Sequence, residues 1–93
     1  LCIIPFDTED EAIAIANDTE YGLAATIWTR DLSTAMKAVN ELEAGFVQVN
    51  QNVVVQPMLP YGGVKSSGIG KEASLDAMLE HFTHRKTIII NME

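Results

Sequence analysis

The stretch Leu23-Ala24-Ala25-Thr26-Ile27-Trp28-Thr29-Arg30-Asp31-Leu32-Ser33-Thr34-Ala35-Met36-Lys37-Ala38-Val39-Asn40-Glu41-Leu42-Glu43-Ala44-Gly45-Phe46-Val47-Gln48-Val49-Asn50 decides the fold. Residues 23–29 are rich in apolar and β-branched side chains and read as a strand. Asp31 or Ser33 can then cap a helix whose Ala35, Met36, Val39 and Leu42 recur at helical spacing, with Gly45 closing it. Residues 46–50 read as the next strand. Strands that alternate with helices predict parallel pairing through right-handed crossovers, and strands this apolar predict burial on both faces.

The alternation extends outward in both directions. Residues 1–6 form a short apolar run that reads as the inside of a strand rather than a solvated terminus, which predicts a segment of a longer protein. Thr8-Glu9-Asp10-Glu11 then supplies a capping hydroxyl with a Glu three residues later, so a helix starts near Thr8. Ala12, Ile13, Ile15 and Ala16 cluster on one side of it, and Asn17, Asp18 and Gly22 supply stop and turn chemistry. Residues 51–70 hold three consecutive valines, two prolines and four glycines without clear periodicity, and a loop of that length is usually functional. Residues 71–82 read as a third helix with Ala73, Leu75, Met78, Leu79 and Phe82 on its apolar side, and residues 87–91 as a final strand. The expected order is βαβαβ, loop, αβ: an α/β class with a mainly parallel sheet from which strands are missing.

Composition narrows the function classes. The chain of 93 residues is one domain or part of one, too short for a complete two-substrate enzyme. With 47% hydrophobic and 20% charged residues it matches an ordinary globular core, not a disordered segment. A formal net charge of -7 repels a phosphate backbone, so nucleic acid is not an expected partner. No apolar run approaches the roughly eighteen residues of a membrane span, and no membrane partner is expected. Cys2, the single cysteine, can form no internal disulfide; set between apolar neighbours, it reads as a buried, inert thiol in a reducing compartment, and a cytoplasmic location is expected.

The segment Pro60-Tyr61-Gly62-Gly63-Val64-Lys65-Ser66-Ser67-Gly68-Ile69-Gly70-Lys71-Glu72 has four glycines in nine residues, so something passes close to its backbone. Gly68-Ile69-Gly70-Lys71-Glu72-Ala73 formally fits a dinucleotide-type glycine pattern that opens a helix. The context fails, because Val64-Lys65-Ser66-Ser67 rather than a strand comes before it, and Glu72 stands where a phosphate loop needs Ser or Thr. A plain glycine-rich turn is the alternative. His81 and His84 lie three apart without a third ligand nearby, so no metal site is expected. No Ser-His-Asp or Cys-His arrangement is legible, and the residues alone name no reaction.

Taken together, Ala16-Asn17-Asp18-Thr19-Glu20-Tyr21-Gly22-Leu23-Ala24-Ala25, then Ala44-Gly45-Phe46-Val47-Gln48-Val49-Asn50, then Pro60-Tyr61-Gly62-Gly63-Val64-Lys65 with Ser67-Gly68, resemble the NAD(P)-dependent aldehyde dehydrogenase superfamily in order and spacing. The resemblance covers essentially the whole chain and implies its C-terminal portion. Residues 1–83 then belong to the catalytic domain and residues 84–93 to an oligomerisation arm. In the family an E-x-F-G-P-V segment, whose Glu contacts the nicotinamide ribose, comes just before a strand like residues 1–6. The catalytic cysteine, the deacylating glutamate, the oxyanion-hole Asn and the nucleotide-binding domain all lie further upstream. The resemblance therefore implies no catalytic, cofactor-binding or metal residue here, and no activity of the isolated segment, although its parent uses NAD or NADP.

The resemblance does place one wall of the aldehyde entry tunnel between Asn50 and Pro60, with Val55 and Tyr61 at positions that commonly carry tunnel aromatics. Tyr61 keeps the aromatic and adds a phenol; Val55 departs from it and widens the mouth, which implies a more polar or bulkier aldehyde. Glu72 matches a glutamate proposed to join a proton path towards the catalytic site, with a first-turn carboxylate favoured by the helix dipole as its plain alternative. Lys71 stands where Arg is more frequent, so any bidentate pairing is lost, and Lys65 reads as a structural contact. Thr87, Ile88, Ile89 and Ile90 match the strand that adds to a neighbouring subunit's sheet in a homo-oligomer, dimer or tetramer; an edge strand within the same subunit is the alternative. Two rivals remain: a stand-alone α/β interaction module without catalysis, and a phosphate-binding module built on residues 68–73.

Overall fold

In the computed structural model, which describes residues 1–52 and 54–93, the first helix begins where its capping residues place it. The Thr8 hydroxyl accepts the Glu11 N–H at 3.2 Å, and the Glu11 carboxylate reaches back to the Asp7 N–H at 2.8 Å, one residue further out than the usual box. This helix, α1, spans Glu9–Asn17, with three acidic residues in its first turn where the helix dipole favours them. Strands β1 (Tyr21–Gly22) and β2 (Ala24–Ile27) follow, then α2 (Leu32–Glu41), β3 (Phe46–Val49), β4 (Val64–Lys65) and α3 (Leu75–Phe82).

The βαβ unit forms as expected. β2 and β3 pair in parallel, Ala24 opposite Phe46 through Ile27 opposite Val49, with α2 crossing between them. Asp31 rather than Ser33 caps α2, its carboxylate accepting the Thr34 N–H at 2.6 Å. That hydrogen bond, ahead of smaller contributions from the Thr34 side chain and the Ser33 N–H, holds the Asp31 carboxyl below its ordinary value of 3.8. A lowered folded value means the cap's contribution is complete above the ordinary value and is lost as pH falls through the lower folded one. Helical circular dichroism is therefore expected to fall in acid below about pH 4, and Asp31→Asn, which keeps an acceptor without a titrating charge, to flatten that limb.

Several expectations are corrected. Residues 1–6 and 87–91 form no strand: neither has a hydrogen-bonding neighbour among the described residues, and an extended segment without one remains solvated. Cys2 is accordingly exposed, not buried. The sheet is not mainly parallel as a single body; a second pair is antiparallel, β1 from the turn after α1 with β4 from inside the long loop. The helix α2 ends at Glu41, and Gly45 instead opens β3. Helix α3 starts at Leu75, capped by Ser74, because Ala73 takes a left-handed φ of 63° and Glu72 is drawn into an antiparallel bridge with Tyr61. Of the three consecutive valines, Val53 lies outside the described residues.

The packing is thin. Ala35 and Ala38 are the buried apolar residues of the described set, beneath α2 where it crosses β2 and β3. The chain exposes 7788 Å², where a compact monomer of its mass exposes about 5,300 Å². Its radius of gyration is 18.8 Å, against about 12 Å for a compact chain of this length. Phe6, Trp28, Phe82 and the isoleucines 88–90 all lie open to solvent. No helix among the described residues is long and apolar enough to cross a membrane.

Candidate functional site

Three stretches far apart in sequence meet at one node. The Gly45 N–H donates to Gly22 O at 3.0 Å and the Phe46 N–H to Leu23 O at 3.1 Å, which continues the β2–β3 ladder backwards. The Gly22 N–H donates to the Ser67 hydroxyl at 2.9 Å. The Asn17 side chain bridges the ends of the two first helices, donating to Glu41 O at 2.8 Å and accepting from the Glu43 N–H at 2.9 Å. An asparagine at the end of α1 thus supplies the partners that α2's last turn lacks.

Two lysines close the node. Lys65, left-handed at φ 52°, donates through Nζ to Asn17 O at 2.9 Å and Thr19 O at 3.2 Å and pairs with the Glu43 carboxylate. Its role as a structural contact is what the geometry shows. The half-buried Lys71 donates to the carbonyls of Gly45 and Gly62, the latter at 2.8 Å. An ammonium is a compact point donor, so it sits between two carbonyls that a planar guanidinium would meet differently.

The glycines serve this closeness. A Cβ on Gly45 would run into Gly62 O, and one on Gly62 into Gly70 O, with Lys71 Cα at 3.0 Å. Backbone, not ligand, fills the space where their side chains would be. Because α3 begins five residues after Gly70 and is capped by its own Ser74, no free helix N-terminus faces residues 68–70. The phosphate-cradle reading therefore falls, as does the helix-dipole reading of Glu72.

The anticipated tunnel positions sit on the segment held at this node. Tyr61 exchanges two backbone hydrogen bonds with Glu72, at 2.8 and 2.7 Å, and its ring meets Phe46 edge-on with centroids 5.1 Å apart. Tyr61, Glu72 and His81 line one open groove of about 500 Å³ over residues 62–70; Val55 is exposed and does not share it. His81 lies in the last turn of α3 and His84 beyond its cap at Thr83, so the two do not share a helix face. Thr87, Ile88, Ile89 and Ile90 are exposed and unpaired within the described residues.

Gln48 and Asn50 were not anticipated. Gln48, the one buried polar residue of the described set, donates to Val54 O at 3.0 Å and accepts the Val54 N–H at 3.1 Å. Asn50, turned left-handed at φ 56°, brackets Thr29 with its amide at 2.9 and 3.0 Å and so ties together the carboxyl ends of β2 and β3. The available signal was a glutamine between two valines inside an otherwise apolar strand.

A parallel strand pair whose carboxyl ends carry a braced, apolar loop is the usual place for a binding wall in an α/β enzyme. The sequence model of the aldehyde dehydrogenase family matches residues 1–88. The chain is 44% identical over 89 residues to 2-aminomuconic semialdehyde dehydrogenase of Mus musculus, covering 96% of this chain and 18% of that protein. It is 46% identical over 93 residues to the NADP/NAD-dependent aldehyde dehydrogenase PuuC of Escherichia coli strain K12, covering 100% of this chain and 19% of that protein. The crystal structure of Mycobacterium tuberculosis aldehyde dehydrogenase complexed with NAD+ superposes with a TM-score of 0.81 at 43% identity, over 96% of this chain and 18% of that one. This chain belongs to the aldehyde dehydrogenase family, an oxidoreductase family with an α/β fold. It spans 18–19% of the length of these relatives.

Proposed function

We propose that this chain is the C-terminal segment of an enzyme that oxidises an aldehyde to a carboxylic acid with NAD or NADP, in which it forms one wall of the aldehyde passage. The observation that carries the reading is the loop braced at both ends: Asn50 starts it at the carboxyl ends of β2 and β3, and the node at Gly22, Gly45, Gly62 and Lys71 holds its far end, Tyr61, beside Phe46 at the amino end of β3. The 2,500 Å² or so of surface beyond that of a compact monomer is what a segment covered by the rest of a catalytic domain leaves when taken alone. That favours a catalytic-domain segment over a stand-alone interaction module.

The glycine-rich stretch 68–73 does not fit the dinucleotide. With α3 starting only at Leu75, capped by its own Ser74, residues 68–70 offer no helix N-terminus for a pyrophosphate; the cofactor and the reacting groups are assigned to the remainder of the enzyme, and the isolated chain is expected to be inactive. Residues 1–83 are assigned to the catalytic domain and 84–93 to an arm through which Thr87 to Ile90 join a neighbouring subunit. Their exposure and β-branched run support that use. Glu72 is assigned to a proton path towards the catalytic site, a use that its position on the same groove as Tyr61 supports. The lone cysteine supports a reducing, cytoplasmic setting.

The test is reduced-nicotinamide formation at 340 nm by the whole enzyme with a panel of aldehydes and either cofactor; no turnover with any aldehyde overturns the reading. In the same assay Tyr61→Phe removes the phenol while keeping the ring packed on Phe46. The kcat/KM ratio between hydroxylated and plain aldehydes is expected to fall about tenfold, the loss of one neutral hydrogen bond, with little change for plain ones.

A further inference from the structure

We propose that Gln48 is a positioning residue that sets the substrate-facing loop, and through it the enzyme's discrimination between small and bulky aldehydes; this rests on the tunnel-wall reading above. Gln48 lies inside β3, 6% exposed, between Val47 and Val49. Its primary amide makes both hydrogen bonds to Val54 that a strand neighbour would make, donating to the carbonyl and accepting the N–H. The side chain therefore acts as one rung of a ladder running from the sheet to the loop. Both amide atoms are used, and Gln48 is satisfied only while the loop is docked.

What this rung holds is specific. Among the described residues of this loop Val54 is 48% exposed and Val55 43%, and Met58 and Leu59 are exposed as well, so their apolar side chains add little to holding it on the sheet. At its far end the loop is fixed by the Tyr61–Glu72 bridge and by Lys71 on Gly62. Between Asn50 and Tyr61 the rung from Gln48 is joined by the Met58 N–H on Ala73 O at 3.2 Å, which lies on the distal side of Val55. Removing Gln48's amide frees the Val55 side of the wall and leaves the Tyr61 side in place. A partly freed wall yields to a bulky substrate and makes little difference to a small one.

The experiment uses the whole enzyme with Gln48→Met, which keeps the length and volume of the side chain and loses both hydrogen bonds. Hydrogen exchange of the peptide carrying residues 54–58 is expected to quicken about tenfold, with residues 24–27 of β2 unchanged. The KM for phenylacetaldehyde is expected to move about fivefold relative to that for propanal, with kcat for propanal within about twofold. Gln48→Glu, which keeps the acceptor for the Val54 N–H and loses the donor, is expected to fall between, and it serves where Gln48→Met does not fold. Unchanged exchange at 54–58, equal quickening in β2, or a uniform fall in kcat for all aldehydes overturns the proposal. Exchange reads the rung whether or not aldehydes are oxidised, so a whole enzyme that turns over no aldehyde defeats the proposed function and leaves exchange to decide the role of Gln48.

Discussion

Gly45→Ala is expected to destabilise the whole enzyme by about 3 kcal/mol, enough to remove most soluble, active protein at growth temperature. The added methyl would meet Gly62 O, with Gly62 C at 2.9 Å and the Lys71 ammonium at 2.5 Å. Two of these are backbone atoms, pinned by the Tyr61–Glu72 bridge on one side and the β2–β3 ladder on the other, so neither can retreat without breaking hydrogen bonds. Gly70→Ala is the matching control. Its Cβ would meet nothing nearer than His81 Cε1 at 4.0 Å, and a change within about 0.5 kcal/mol is expected. Thermal denaturation of the two variants beside the parent checks both figures, and similar losses for the two would contradict the close approach of Gly45 to Gly62.

Lys71→Met is expected to cost about 2 kcal/mol and to raise KM for aldehydes. The side chain keeps its apolar length, but the carbonyls of Gly45 and Gly62 lose a charged donor in a half-buried place. Those carbonyls belong to the residues next to Phe46 and Tyr61, so the edge-on contact between the two rings loosens with them. Lys71→Arg is expected to recover only part of the loss, since a planar fork cannot occupy the point between two carbonyls that an ammonium fills. Urea unfolding gives the stability change and steady-state kinetics the KM. Full recovery by Arg would mean that charge alone, not the two-carbonyl geometry, is what the site needs.

The elements legible in the sequence are those whose cause is local. The caps of α1 and α2 follow from Thr8, Glu11 and Asp31, and the parallel pair from the apolar runs on either side of α2. What was missed depends on partners distant in sequence. β4 exists because Tyr21–Gly22 is its neighbour, and two residues carry no period to read. Glu72 leaves the third helix because Tyr61 claims its backbone, overriding the helical pattern of Leu75, Met78 and Phe82. The strands expected at residues 1–6 and 87–91 have strand composition and no neighbour here, and composition alone cannot supply one. Of the candidate site, Tyr61 and Glu72 come together on one groove while Val55 stands apart. The residues that hold the loop, Gln48 and Lys71, act through backbone carbonyls and amides, which no side-chain motif announces.

The most direct test of the central claim is the mass of the intact protein from its native source. It is measured alongside aldehyde-dependent NAD(P)H formation by that material and by the isolated 93-residue chain. The expected result is a native protein several times larger that oxidises aldehydes, and a 93-residue chain that is silent in the same assay. A native protein of only 93 residues, without activity, would contradict it and favour the stand-alone interaction module.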